Sequence, residues 1–371
     1  MKKIKALLHS QAKQAIPILA KLFGANLLDK QATLAKLKAY QIFIKNGEEI
    51  IIPPAGVTST EAPENFNNSQ PVTTSTVAVY NLHGTNKVKI FPYGGIKFNR
   101  DVLDMDFGSA LFIKTLLKAD KRVPLRCNVC IVLWSHEWGN GYYDYTYFIF
   151  AKLLRIKAIM SEADFKQAKI IYPLVNTAFE KELMSYAGVN AEQLVDSRKY
   201  KVTADSYYLA NNDSWYFHNK HDLSVLKDKL ASVETPVVTG ERIYIQRKGR
   251  RKLTNEVDVI NLLKEYGFTI IEDSPRTVAE QIAIYNTAKV IIGPHGASYT
   301  NIINCKAGSI LIELFPDNYY PDYFRYLATV GSLKYFAIFQ QNIQESHYRN
   351  LNEDMTIDPE KIKNLLDQII P

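Results

Sequence analysis

Residues 290–316 read VIIGPHGASYTNIINCKAGSILIELFP. Three apolar residues, Val290-Ile291-Ile292, stop at Gly293-Pro294-His295-Gly296-Ala297. A short amphipathic segment runs from Ser298 to Asn304, and a second apolar run, Ser309 to Leu314, ends in Phe315-Pro316. The pattern is strand, small-residue turn, helix, strand. In an open parallel sheet, ligands bind outside the carboxyl ends of the strands, so this turn falls where a ligand would sit. Gly293, Gly296 and Ala297 leave the backbone exposed there. Ser298 starts a helix whose N-terminal amides attract anions. His295 is the one side chain of the turn that both donates and accepts near neutral pH. The same residues also fit a plain strand-to-helix turn capped by Ser298, because G-x-x-G is neither a Walker A loop nor G-x-G-x-x-G.

The alternation continues on both sides of this stretch. Strands are expected at 242–246, 268–272, 289–292, 309–314 and 335–339, with helices at 255–266, 277–287, 298–304, 321–330 and 359–369. Strands and helices in strict alternation predict a doubly wound parallel domain. Upstream, Thr235-Pro236 marks a boundary. The chain is therefore divided into a basic helical segment 1–40, an α/β domain 41–234, and a Rossmann-like domain 235–371. Within 41–234, QIFIKNGEEIII (41–52) predicts a hairpin about Asn46-Gly47, and the Pro-, Thr- and Ser-rich stretch 53–76 predicts a loop. Strands are expected at 77–82, 87–91, 129–134, 169–174 and 200–208. Helices are expected at 107–119, 147–155, 178–187 and 223–233.

Length and composition narrow the function classes. At 371 residues with 47% apolar residues, the chain is long enough for two domains with sizeable cores. Three cysteines, Cys127, Cys130 and Cys305, make no disulfide scaffold, and a lone C-x-x-C is half of a zinc site. Residues 1–40 hold eight lysines against one aspartate, a net charge equal to the +7 of the whole chain, so the rest is electroneutral. A nucleic-acid surface spread over the fold is not expected. Ile4, Leu7, Leu8, Ala15, Ile18, Leu19, Leu22 and Phe23 recur at helical spacing among the lysines. Residues 2–24 are thus a candidate for contact with an anionic membrane surface, the alternative being a helix packed on the domain. No run of about 20 apolar residues occurs. A cytoplasmic location, peripheral on the inner face of the membrane, is the expectation.

Gln246-Arg247-Lys248-Gly249-Arg250-Arg251-Lys252-Leu253-Thr254-Asn255-Glu256 follows the first strand of the second domain. With Glu280-Gln281, the Gly293–Ala297 turn with Thr300-Asn301, and Glu313-Leu314-Phe315-Pro316, it resembles glycosyltransferase family 61, in the family's order and over roughly 240–335. The resemblance implies a GT-B fold, two Rossmann-like domains facing across a cleft. It also implies an inverting, metal-independent transferase with no cofactor beyond a nucleotide-sugar donor, a UDP-sugar being favoured. The expected acceptor is a glycan or lipid-linked glycan, as in bacterial capsule or lipopolysaccharide assembly. Nucleic acid is not an expected partner. The rival reading is a non-catalytic nucleotide- or phosphoglycan-binding protein.

The leaving diphosphate of such a reaction needs positive charge or oriented amides. Arginine gives planar, bidentate phosphate contacts, and the resemblance singles out Arg247 and Arg251. Donor-binding candidates are Arg247, Arg251, Asn255, Gly293, His295, Gly296, Ala297, Ser298, Thr300, Asn301 and Glu313. Glu313 is placed to accept ribose hydroxyls and His295 to meet phosphate. Transfer also needs a base for the acceptor hydroxyl. Candidates lie in Ser135-His136-Glu137-Trp138-Gly139-Asn140-Gly141-Tyr142-Tyr143-Asp144, after the 129–134 strand. The family often has a histidine near the start of the next helix. Tyr143, or in a shifted register Tyr147, stands in its place. Asp144 is preferred over His136 and Glu137, and also fits a helix cap. No metal site is expected. Asp104-x-Asp106 has the spacing of a metal-binding pair, but so short a pattern is common by chance. Tyr216, His218 and His221 are expected at the surface or between domains.

Overall fold

A computed structural model of the chain describes residues 16–370 apart from 58–61, 85–86, 107–111, 113–114, 116–117, 135–140, 213, 239 and 346–350. Most of the expected 107–119 helix, and residues 2–15 of the basic segment, lie outside the described residues. The fold is mixed α/β and divides into two compact units, residues 1–47 with 75–225 and residues 48–74 with 226–371.

The first unit holds a six-stranded sheet. Its strands are β1 (Gln41–Lys45), β2 (Val77–His83), β3 (Val123–Val132), β4 (Lys169–Tyr172), β5 (Leu194–Asp196) and β6 (Tyr200–Ala210), in the order β5-β4-β3-β6-β2-β1. Strands β5, β4, β3 and β6 are parallel, while β2 is antiparallel to both β6 and β1. Strand β3 starts six residues before the expected one. Its first half, Val123–Asn128, is largely exposed and has no buried apolar run. It becomes strand by pairing with β6 from Val123↔Tyr200 to Val132↔Leu209. A helix beginning at Tyr142 crosses this unit as Tyr142–Asp144 (α), Tyr145–Phe150 (π) and Ala151–Lys157 (α). Two buried ion pairs anchor it. The Lys152 ammonium donates to both Asp106 oxygens at 2.7 Å and to the Trp134 carbonyl at 2.5 Å. Arg155 forks onto Asp222 at 2.9 and 2.6 Å. Asp106 is thus the partner of Lys152, and it also accepts from the Asn212 amide.

The second unit is built on five parallel strands, β7 (Arg242–Ile245), β8 (Thr269–Ile271), β9 (Val290–Pro294), β10 (Ile310–Phe315) and β11 (Lys334–Phe339), in the order β8-β7-β9-β10-β11. Helices α1 (Glu256–Glu265), α2 (Val278–Thr287), α3 (Tyr323–Val330) and α4 (Pro359–Ile369) alternate with them, as expected. The core is aliphatic, with Ile292, Ile312, Leu314, Ile338, Ile362 and Leu366 at 0% exposure. Segment 297–304 is helical but of the 3₁₀ type.

The hairpin at 41–52 is not formed. Residues 41–45 pair with β2, and Glu49–Ile52 pair with Gln70–Thr73. Asn46-Gly47 sits at the division between the units, and Thr76 and Thr74 hydroxyls accept from the Gly47 and Glu48 amides. Nor is 53–76 a loop throughout. Gly56–Val57 adds a parallel strand beyond β11, and Glu64–Asn67 is helical. Phe66, fully buried, packs edge-on against Phe315 and Phe339. Arg325, 1% exposed, donates to the carbonyls of Pro53, Asn65 and Asn68. Residues 48–74, placed by the sequence with the first domain, are held in the second unit by these contacts.

Candidate functional site

In a sheet ordered 2-1-3-4-5 the strand order reverses between the first and third strands, and the crevice outside their carboxyl ends is the expected binding place. Here those strands are β7 and β9. After β7 comes Gln246–Asn255, and after β9 comes His295-Gly296. The loop is pinned at its base by Glu256, which accepts from the Tyr244 hydroxyl at 2.8 Å and from the Gln246 amide at 2.9 Å.

Both arginines singled out by the sequence meet at the turn. Arg247 Nη1 donates to the His295 carbonyl at 3.1 Å, and Arg251 Nε donates to the same oxygen at 3.3 Å. Arg247 also donates to the Arg250 carbonyl. Arg251 donates to the Leu351 carbonyl at 2.6 Å and lies over the Tyr319 ring at 5.2 Å. Neither guanidinium is in an ion pair among the described residues. Burial, then the neighbouring arginines, lowers the pKa of Arg247 to about 10. Arg251 is lowered chiefly by burial. It adopts φ 60°, a left-handed conformation costly for a side chain with Cβ. Two cations held side by side repel each other, a repulsion that an anion between them would relieve.

Gly296 has a specific reason to be glycine. A Cβ there would lie 1.6 Å from Arg247 Nη1. Gly296→Ala is expected to displace Arg247 and weaken nucleotide binding at least about tenfold, read by calorimetric titration. Unchanged affinity would remove Arg247 from the site. A Cβ on Gly293 would meet the Ile245 carbonyl of β7 at 2.6 Å, so that glycine serves strand packing.

Several expected donor contacts are corrected. His295 is fully buried. Its Nδ1 faces Glu313 and its Nε2 faces the Tyr323 hydroxyl at 3.0 Å. Its ring therefore positions the turn, and its carbonyl carries the arginines. Glu313 is equally buried, and its second oxygen accepts from Tyr335 at 2.7 Å, which leaves it unplaced for ribose. Burial pushes the histidine down and the carboxyl up, favouring the neutral form of each. Asn255 closes a two-way bond with the Ile357 backbone at 2.8 and 3.3 Å. Asn301, 1% exposed, donates to Gln281 and the Ser298 carbonyl. Thr300 is buried, Ser298 meets the Tyr285 hydroxyl at 2.8 Å, and Ala297 is exposed. The helix cap is Gly296 and not Ser298. Tyr319, Tyr323 and Tyr335, which shape this site, were not legible as site residues. For Tyr319 and Tyr323 the signal was a cluster of tyrosines after a strand end; Tyr335 lies inside β11 and carried none.

The base candidates lie in the first unit. His136 and Glu137 fall outside the described residues. Asp144 is half-buried and makes no side-chain hydrogen bond among the described residues. Burial pushes it up to about 6. It is not the cap, because Gly141 holds that position. A Cβ on Gly141 would lie 2.7 Å from Asp144 Oδ2. The π-helical turn begins directly after it, and such turns recur at functional sites. Tyr143 donates its one hydroxyl proton to the Trp215 carbonyl at 3.0 Å, so His218 Nε2 donates to Tyr143 at 2.9 Å. His218 is 4% exposed, stacked on Tyr147, and pushed by burial down to about 3. It is a buried neutral partner of the helix and does not lie at the surface, one of the two places expected for it. Among the described residues no three His, Cys, Asp or Glu side chains cluster as a metal site would need.

The glycosyltransferase 61 family model matches residues 116–312, just over half of the chain. The chain belongs to the glycosyltransferase 61 family. That span contains Asp144, Arg247, Arg251, His295 and Gly296, and it stops one residue short of Glu313. Among curated relatives, the xylan glycosyltransferase MUCI21 of Arabidopsis thaliana is 37% identical over 73 residues, 19% of this chain and 15% of that protein. The β-1,2-xylosyltransferase XAX1 of Oryza sativa subsp. japonica is 31% identical over 84 residues, 22% of this chain and 15% of that protein. The chain thus matches about 15% of the length of either relative. Both are plant proteins, and neither lends support to a bacterial capsule or lipopolysaccharide setting.

Proposed function

We propose that this family 61 protein transfers a sugar, a pentose such as xylose, from a nucleotide-sugar to a hydroxyl of a glycan acceptor, with inversion. The observation that carries the reading is the pair Arg247 and Arg251. They converge on the His295 carbonyl at the strand-order reversal, with no carboxylate in an ion pair with either among the described residues. In the transition state the bond from the anomeric carbon to the diphosphate oxygen breaks while the acceptor oxygen forms its own. Negative charge grows on the departing diphosphate, and buried guanidiniums stabilise it there. The acceptor hydroxyl loses its proton to a base, for which Asp144 is the choice. Its raised pKa suits a group that must accept a proton near neutrality. Arg247 and Arg251 belong to the second unit and Asp144 to the first.

The names of the plant relatives favour a xylosyl donor, and a UDP-linked one is the first to test. A thermal-shift screen against UDP, GDP, CMP and dTDP, each with and without EDTA, decides the donor class, because a ligand bound only by the native state raises its apparent stability. A shift with one nucleotide, insensitive to EDTA, is expected. No shift with any of them would argue against a donor site at the turn.

A further inference from the structure

The first unit has a cavity of about 950 Å³ built from residues that the donor and base assignments do not use. Among its described lining residues, the exposed lysines Lys89, Lys118, Lys121 and Lys199 point to one charge sign. None of them is in an ion pair among the described residues. Lys97 joins them, donating to the Gly24 carbonyl at 3.1 Å. Burial, then Lys89 and Arg100, pushes its pKa down. Arg122 and Arg198 also line the cavity, but each is matched, by Asp120 and Asp196. Asp120 is the one carboxylate among the described lining residues, and it is tied to Arg122 at 2.8 Å. It also feels the charge of Lys89, but one carboxylate tied to an arginine leaves the lysines in excess. Like charges gathered around a concave space repel one another, and an anion in that space relieves the repulsion.

The floor is aromatic. Phe91 and Tyr93 stack with centroids 5.5 Å apart, and Phe112 lies 5.0 Å from Phe91. The Tyr93 hydroxyl is buried without a hydrogen-bond partner among the described residues, a group that usually has an explanation. The rim is apolar. Phe23 lines the cavity at 51% exposure and follows the helical segment 16–22, where Ile18 is 64% and Leu22 77% exposed, with exposed Lys21 between. Cations, an aromatic floor and an exposed apolar rim together match an amphiphile with an anionic head. A soluble anion would leave the rim without a role.

We propose that this cavity binds the phosphoryl head of a membrane-borne sugar phosphate, with the 16–23 face against its apolar chain. A volume near the upper end of small-ligand pockets leaves room for a sugar beside the phosphoryl group. That this ligand is the acceptor rests on the transferase reading above; that it binds does not.

Co-sedimentation with three kinds of phosphatidylcholine vesicle tests this: one carrying a polyprenyl phosphate, one carrying phosphatidylglycerol at equal charge, and one plain. The full chain is expected to sediment best with the polyprenyl phosphate vesicles, and inorganic pyrophosphate should compete. Lys89→Glu with Lys199→Glu is expected to weaken that binding by well over about thirtyfold, since losing each lysine's charge near an anionic surface already costs about a factor of five and the glutamates add repulsion. The milder Lys89→Gln with Lys199→Gln should weaken it less, and Leu22→Ser should weaken it with the cations intact. Equal binding to phosphatidylglycerol vesicles, no competition by pyrophosphate, or no effect of the charge reversals would each overturn the proposal. Carrier binding without any nucleotide shift would sink the transferase reading and leave the cavity standing. A nucleotide shift without carrier binding would do the reverse.

Discussion

Arg251→Ala is expected to raise the Kd for the nucleotide about a hundredfold. A charged hydrogen-bonding group truncated from a buried anion site costs several kcal/mol of binding. Titration calorimetry reads the loss directly. The apo protein should lose much less, because Arg251 has no paired carboxylate among the described residues and repels Arg247. Its removal takes away one of the causes that lower Arg247, whose pKa should rise. Arg251→Lys separates charge from geometry. A lysine keeps the positive charge but not the fork that reaches both the His295 and Leu351 carbonyls. Partial loss of affinity is the expected result. Wild-type affinity in the alanine variant would show that the nucleotide binds elsewhere.

Asp144→Asn is expected to lower kcat about a thousandfold while leaving nucleotide binding unchanged, the range found when a general base is removed. In the unaltered protein kcat/KM should fall as pH drops through about 6, where the carboxylate takes up its proton. Stability should move the opposite way. The folded-state pKa is raised from 3.8 to about 6 by burial, so the folded protein favours the protonated group. That contribution is full below the unfolded pKa and is lost as pH rises through about 6. At neutral pH the ionised aspartate is therefore a cost, which asparagine removes. The variant should be more stable by about 1–2 kcal/mol at pH 7, after discounting for the carboxylate's remaining contact with water, and little different at pH 4. Denaturant unfolding at the two pH values checks this. Lost turnover together with gained stability marks a catalytic group, whereas a merely structural aspartate would lose both. Retained turnover would move the base to another residue.

The second unit was legible because each of its signals is local. A strand buried on both faces must be an apolar run, as in Val290-Ile291-Ile292, and each run ends in Gly, Pro or a polar turn. The helices between them carry their own signatures, such as Thr277 and Glu280, which form a reciprocal capping box. The first unit was less legible. Val123–Asn128 is strand only because β6 lies beside it, and Asn46-Gly47, a good turn by composition, lies where the chain leaves one unit for the other. Phe66 and Arg325 are 259 residues apart and hold each other in place, which no window of sequence could reveal.

The same division runs through the site. By itself the sequence determined that a loop with Arg247 and Arg251 and a turn with Gly296 follow two strands of one parallel sheet, because strand periodicity and small-residue turns are properties of adjacent residues. Only the tertiary structure decided what those residues touch. It placed β7 beside β9, so that two arginines 48 and 44 residues from His295 share its carbonyl. It enclosed His295 and Glu313 together, turning two expected ligand contacts into supports, and it brought His218 under Tyr143. Burial and pairing across the sheet depend on which strands become neighbours, and that is fixed by packing over the whole unit, not by the residues on either side.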